Sequence, residues 1–346
     1  MSSSLPDAVL GRLCAAAGQA VSGQNLARDL GVTRAAVWKS IEQLRRAGYE
    51  VASLPGRGYQ LPTQPGGLRP GELVGALRTR SLGRELRHLE EVDSTNREAE
   101  RWALSGAPEG AMVVAEHQIS GRGRLGRRWH DRTGESILLS LILRPPTPVA
   151  TAPLLTFVAA VALAETCSSW VAPEQVAIKW PNDVLVARRK VAGILLEMRT
   201  EGQRVEHVIV GVGINVGGTA AGLPDELRDS GGTLTETATA APPTRLAVLC
   251  QLLERFETGY DAFCREGPSS VIGPWNRWFR MAGERIAVNT PGGRVEGVAL
   301  GLGAAGQLRL DTGDSAVREV YAGDVEWSSL RVEHPDMEER APHERG

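Results

Sequence analysis

KWPNDVLVARRKVAGILLEMRTEGQRVEHVIVGVGIN, residues 179 to 215, is a run of apolar segments broken by short polar turns. Val191–Met198 and Val208–Asn215 have the length and apolar content of strands, and the turns at Arg188-Arg189 and Glu201-Gly202 are too short to hold a crossover helix. Strands joined in this way run antiparallel. Working outward, Met112–Gln118 and Ser136–Leu143 read as further strands, and Asn96–Ser105, Ala152–Trp170 and Leu246–Glu266 carry helical apolar spacing. Residues 71–272 are therefore expected to form one central α/β domain of α+β class with a mostly antiparallel sheet.

Upstream, residues 1–63 read as three short helices and a hairpin. Ser22 and Thr33 stand where helix caps stand, and the second of the capped helices runs from Arg34 to about Ala47, ahead of Gly48. Val37, Ile41 and Leu44 form its buried stripe, which turns Lys39 and Arg46 outward, with Arg34 in the first turn. YEVASLPGRGYQL then alternates around a glycine-bearing turn with Arg57 at its tip. This is the pattern of a winged helix-turn-helix. A Pro/Gly-rich linker follows at 64–70.

Downstream, residues 217–243 are small and polar and read as a surface loop, partly disordered. Short glycine-separated strands between Glu284 and Glu326 predict a small SH3-like β-barrel within 273–328. Residues 329–346 read as a charged, disordered tail.

The 346 residues are 42% hydrophobic and 23% charged with a formal net charge of −2, so any contact with nucleic acid must come from a local patch. No segment approaches 18 uninterrupted apolar residues and the N-terminus lacks a secretory pattern, which predicts a cytoplasmic protein with no membrane partner. Cys14, Cys167, Cys250 and Cys264 lie far apart with no paired spacing or nearby histidines, and read as reduced thiols.

Three segments carry chemistry. In GRGRLGRRW, Gly121–Trp129, glycines allow close backbone approach and arginines supply forked donors, which makes an anion-binding loop. It lacks the GxxxxGK[ST] of a phosphate loop, and no helix pattern follows it as in a dinucleotide fingerprint; a solvated RG segment is the bland alternative. The run that opens with KWPND sets Lys179 and Lys190 at two ends of a hairpin with Asn182 and Asp183 in a turn. A lysine there can neutralise charge on an α-phosphate, and Asp183 can hold Mg2+ or orient a lysine. In DSTN, Asp93–Asn96, Ser94 or Thr95 either caps a helix or hydrogen-bonds a neutral polar ligand. GVGIN, Gly211–Asn215, ends a strand with glycines that suit close packing or ligand approach.

EVDSTN, AEHQISGRGRLGRRW, KWPND, RKVAGILLE and GVGIN, in this order, resemble the motif set of the biotin protein ligases over nearly the whole chain. The leading winged helix resembles the bifunctional ligase/repressor form. The resemblance implies that biotin and MgATP give biotinoyl-5′-AMP and pyrophosphate, after which a lysine of a biotin carboxyl carrier domain takes the biotin. It implies Ser94, Thr95, Asn96, Gln118, Arg122, Gly123, Arg124 and Lys190 around biotin, with Lys190, Arg124, Arg122 and Asp183 as the catalytic set. Lys179, Trp129 and Asn215 fall on the nucleotide side, and no protein metal ligand is expected apart from Asp183. Arg124 is expected to retain the adenylate.

A repressor of this kind implies operator DNA bound through Arg34, Lys39, Arg46 and Arg57 by a homodimer linked to biotinoyl-AMP. Two alternatives stay open on sequence: a lipoate or octanoate ligase-like acyltransferase, and a biotin-sensing DNA-binding regulator without catalysis.

Overall fold

The structure, a computed structural model, describes residues 4–62, 67–239, 241–313 and 316–326. The tail expected at 329–346 lies outside the described residues. Helices α1 (Leu5–Ala15), α2 (Gly23–Asp29) and α3 (Arg34–Arg46) each begin at a side-chain cap, with Ser4, Ser22 and Thr33 accepting from the amides of Asp7, Gln24 and Ala36. Val37, Ile41 and Leu44 of α3 are buried with Leu10, Leu13 and Leu26 in a core of their own. Strands β1 (Ala52–Leu54) and β2 (Gly58–Gln60) pair antiparallel as the wing, and Gly58, at φ +106°, lets the wing close over Val21.

The linker expected at 64–70 is only partly open: 63–66 fall outside the described residues, but Leu68 is fully buried and Pro70 starts α4 (Pro70–Ala76). Proline suits the first helical turn, where its missing N–H has no partner to lose. One face of α4 carries Gly71 and Gly75, whose bare α-carbons let α1 approach at backbone distance through Gly11. Leu73 and Leu77 point the other way, into the central core.

That core lies under a seven-stranded sheet: β3 (Leu86–Val92), β4 (Met112–Gln118), β5 (Ser136–Leu143), β6 (Val176–Lys179), β7 (Asp183–Val186), β8 (Arg189–Glu201) and β9 (Arg204–Asn215), in the order β3-β4-β5-β9-β8-β7-β6. The sheet is mixed. Every ladder is antiparallel except β3–β4, which is parallel because α5 (Thr95–Leu104) crosses between the two strands. Between β7 and β8 the turn is Ala187-Arg188, both with positive φ, one residue earlier than the sequence suggests.

Helix α5 packs on one face through Ala99, Trp102 and Ala103. The other face holds α6 (Leu155–Cys167), apolar almost all round because α8 (Arg245–Glu266) and α9 (Ser269–Trp278) cover it in turn. A one-turn helix, α7 (Leu234–Thr237), interrupts the segment before α8.

Strands β10 (Arg285–Thr290), β11 (Gly293–Leu302), β12 (Leu308–Asp311), β13 (Val317–Val320) and β14 (Asp324–Glu326) form a five-stranded antiparallel sheet ordered β13-β12-β11-β10-β14. The boundary expected at residue 273 falls inside α9. Trp275, fully buried, stacks on Phe279 at 5.0 Å and meets Phe157 edge-on at 5.7 Å, so Ile286, Leu302 and Leu308 share one core with the central domain.

Candidate active site

A cavity of about 560 Å³ opens where β4, β8 and β9 end, between the Gly121–Trp129 loop and residues 223–231. Its first wall follows from the parallel ladder, which pairs Val92 with Gln118 and so sets DSTN beside the end of β4. Gln118 Oε1 accepts from Thr95 N at 2.8 Å and Thr95 Oγ1 at 3.1 Å, while Ser140, fully buried on β5, donates to Asn96 Oδ1 at 2.6 Å. Asn96 in turn donates to Glu197 Oε2 at 2.8 Å. Ser94 occupies the cap position of α5, yet its side chain makes no cap hydrogen bond. The capping role considered for DSTN is therefore not the one adopted: Gln118 satisfies the helix end instead. The result is a fixed set of uncharged donors and acceptors at Ser94, Thr95, Asn96 and Gln118, backed by the Glu197 carboxylate.

GVGIN has a steric reading here. A Cβ on Gly211 would collide with the Asn96 amide, and one on Gly213 with the Trp129 indole. The two glycines leave room for one side chain from each wall.

The glycine-arginine loop is a narrow hairpin, with Trp129 N bonded to Gly121 O at 3.0 Å and Gly123 N to Arg127 O at 2.7 Å. Leu125, at φ +55°, turns it and is exposed. Its arginines are tied on both sides. Arg122 pairs with Glu197 at 2.8 Å, whereas Arg127 reaches Asp324 at 2.5 Å and Arg124 lies 3.6 Å from that same carboxylate and 3.4 Å from Asn182 Oδ1.

Cations gather at the far end. Lys190 Nζ stands 2.8 Å from Asp183 Oδ1, without the alignment of a hydrogen bond, and 5.7 Å from the Trp129 ring centre. Lys179 pairs in register with Asp183 across the WPN turn, and burial pushes its ammonium below the ordinary lysine range, with Lys190 adding to the push. Arg124, Arg127, Lys179 and Lys190 thus face the two carboxylates Asp183 and Asp324, an excess of positive charge that suits an anion.

The cavity brings together Ser94, Thr95, Asn96, Gln118, Arg122, Gly123, Arg124, Trp129, Lys179, Asp183, Lys190 and Asn215. Arg34, Lys39, Arg46 and Arg57 lie apart from it, exposed on α3 and the wing tip. Sequence reasoning missed Ser140, Glu197 and Asp324. It also read residues 217–243 as a surface loop, whereas 223–231 wall the cavity: Lys190 N donates to Ser230 O at 2.7 Å, Gly232 N to Lys190 O at 2.9 Å, and Asn215 holds Gly232 O at 3.2 Å. The backbone bonds to β8 order a segment that composition alone made look loose.

Residues 89–215 match the Biotin/lipoate A/B protein ligase family, 8–60 an HTH domain, and 282–327 the Biotin protein ligase C terminal domain. The chain is 39% identical to a bifunctional ligase/repressor BirA of Bacillus spizizenii over 88% of this chain and 93% of that one. It is 28% identical to the bifunctional ligase/repressor BirA of Escherichia coli, over 89% and 93% respectively. A biotin protein ligase of Aquifex aeolicus, solved in complex with biotin and ATP, superposes with a TM-score of 0.59 at 28% identity, covering 70% of this chain and 98% of that one. With a relative so close over nearly its full length, and a helix-turn-helix region ahead of the ligase region, the chain belongs to the biotin protein ligase family in its bifunctional ligase/repressor form.

Proposed function

We propose that the cavity binds biotin and ATP, joins them as biotinoyl-5′-AMP with release of pyrophosphate, and passes biotin to a lysine of a biotin carboxyl carrier domain. One observation carries this reading: uncharged hydrogen-bonding groups and a cationic cluster occupy opposite ends of one cavity, bridged by the glycine-arginine loop. Ser94, Thr95, Asn96 and Gln118 suit a neutral ring bearing N–H and C=O groups. Lys190 suits the meeting point of carboxylate and α-phosphate, where negative charge builds as the carboxylate attacks phosphorus and pyrophosphate leaves. Lys179, Trp129 and Asn215 line the nucleotide side, and Arg122, Gly123 and Arg124 close over the mixed anhydride, keeping water from the acyl carbon. In the second step the acceptor amine attacks that carbon and AMP departs.

Among the described residues no group of three His, Cys, Asp or Glu side chains could hold a metal ion. Asp183 Oδ1 makes no hydrogen bond among the described residues but faces the Lys190 ammonium at 2.8 Å, so Mg2+ would be held chiefly by phosphates and water, with Asp183 as its one carboxylate neighbour. When bound, the ion supplies charge neutralisation at the phosphates.

Biotin-dependent exchange of pyrophosphate into ATP, followed by label transfer to a carrier domain, tests the assignment. Exchange that depends on lipoate or octanoate and not on biotin would sink it.

The winged helix, with Arg34, Lys39, Arg46 and Arg57 on its outer side, supports operator binding and repression by a homodimer that biotinoyl-AMP favours. The C-terminal sheet reads as an SH3-like barrel. Among the described residues no helix is long and apolar enough to cross a membrane, and a cytoplasmic setting suits reduced thiols and ATP.

A further inference from the structure

Helix α3 buries Val37, Ser40, Ile41 and Leu44 and turns Arg34, Ala35, Trp38, Lys39 and Arg46 outward. Among these Trp38 stands apart within its domain: 54% of this large apolar side chain is exposed, whereas the other large apolar residues of the domain pack inward. The arginine nearest the wing is already engaged, because Arg45 donates to Val51 O at 2.9 and 2.7 Å and to Ser53 Oγ at 2.8 Å, fastening α3 to the wing as a unit. Arg34, Lys39, Arg46 and Arg57 pair with no carboxylate among the described residues. The first two turns of α3 therefore present a guanidinium, a methyl, an indole and an ammonium on one exposed surface.

Cations on this surface suit phosphates, and the apolar groups that the major groove of duplex DNA offers are the 5-methyl groups of thymine. We infer that Ala35 and Trp38 form an apolar reading surface for thymine methyl groups, so that each half-site carries thymine opposite the start of α3 while Arg34 and Lys39 grip the flanking phosphates. The inference rests on the proposed DNA binding and adds to it the base that is read and the residue that reads it.

The test selects binding duplexes from a random-sequence library with the full-length protein in biotin and MgATP, then replaces thymines one at a time by deoxyuridine, which lacks only the methyl. One or two positions per half-site are expected to weaken wild-type binding about fourfold each, the value of a methyl removed from water. Trp38→Ala binds more weakly overall and loses sensitivity at those positions, and Trp38→Phe retains part of both. Trp38 is exposed, so the fold should survive; unchanged thermal unfolding and circular dichroism of Trp38→Phe guard against a misfolded Trp38→Ala. A selected duplex whose deoxyuridine forms bind wild type undiminished, or weaken Trp38→Ala as much as wild type, overturns the thymine reading alone. Selection of no duplex at all overturns the DNA-binding proposal and the inference with it.

Discussion

Ser140 shows how a residue without a motif can govern one that has a motif. It is fully buried on β5 and donates to Asn96 Oδ1 at 2.6 Å, so it fixes the Asn96 amide, while the neighbouring Thr95 hydroxyl donates to Gln118. Ser140→Ala removes one hydrogen bond behind the polar wall and leaves the cationic end untouched. KM for biotin should rise about tenfold, the worth of one such bond, while KM for ATP stays within about twofold. A parallel rise in both would assign Ser140 to general packing. Arg124→Gly strips a guanidinium from the loop but spares Lys190 and Asp183. Adenylate synthesis should survive, and release of biotinoyl-5′-AMP should quicken about ten- to a hundredfold, as loss of charge-assisted hydrogen bonds entails. Unchanged retention in a release assay rules out the retaining role. At this scale the motif residues were legible because glycine, arginine and lysine in that order have few structural uses. Glu197 and Asp324 were not, since a carboxylate's partner is set by the fold: Asp324 follows Arg127 by nearly two hundred residues and still pairs with it at 2.5 Å.

Among the elements α4 joins the two cores, and its chemistry sits on Glu72. This carboxylate is buried and accepts from Tyr49 Oη at 2.5 Å. Burial raises its pKa above the usual 4.5, although Tyr49, Arg69 and Arg245 pull it back. An acid whose folded pKa lies above its unfolded one contributes stability at low pH and loses it as pH climbs through the folded value. Glu72→Gln, which cannot ionise, should therefore unfold at a higher temperature than wild type at pH 8, and at the same temperature near pH 4. Equal melting at both pH values would mean that the charge costs nothing in place. Sequence periodicity found β4 and β5 to the residue because both run apolar in the sheet centre. It missed α4, seven residues long and glycine-faced, and gave no bounds to the strand that leads into DSTN, β3, whose LRHLEEV lies half exposed at the sheet edge and carries too little apolar alternation to stand out.

At the scale of the whole molecule the helix-turn-helix and C-terminal regions differ in how they are held. The winged helix owns a separate core and meets the rest chiefly through the glycine face of α4, where α1 and α4 touch at backbone distance. The C-terminal sheet has no such independence: Ile286, Val288, Leu302, Leu308 and Leu310 are buried in one cluster with Trp275, Phe279 and Phe157. A chain that starts at residue 67 should thus fold cooperatively with a melting temperature within a few degrees of the full-length protein. A chain that ends at residue 283 uncovers several large side chains, each worth about 1.5–3 kcal/mol, against a net stability of about 5–15 kcal/mol. It should lack a cooperative transition in scanning calorimetry, quite apart from losing the Asp324 anchor of the loop. This boundary escaped the sequence because α9 carries the same apolar spacing on both sides of residue 273, and spacing does not say which core a side chain enters. A cooperative transition and normal pyrophosphate exchange in the chain ending at 283 would make the C-terminal sheet an appendage; collapse of the chain starting at 67 would make the winged helix part of the ligase core.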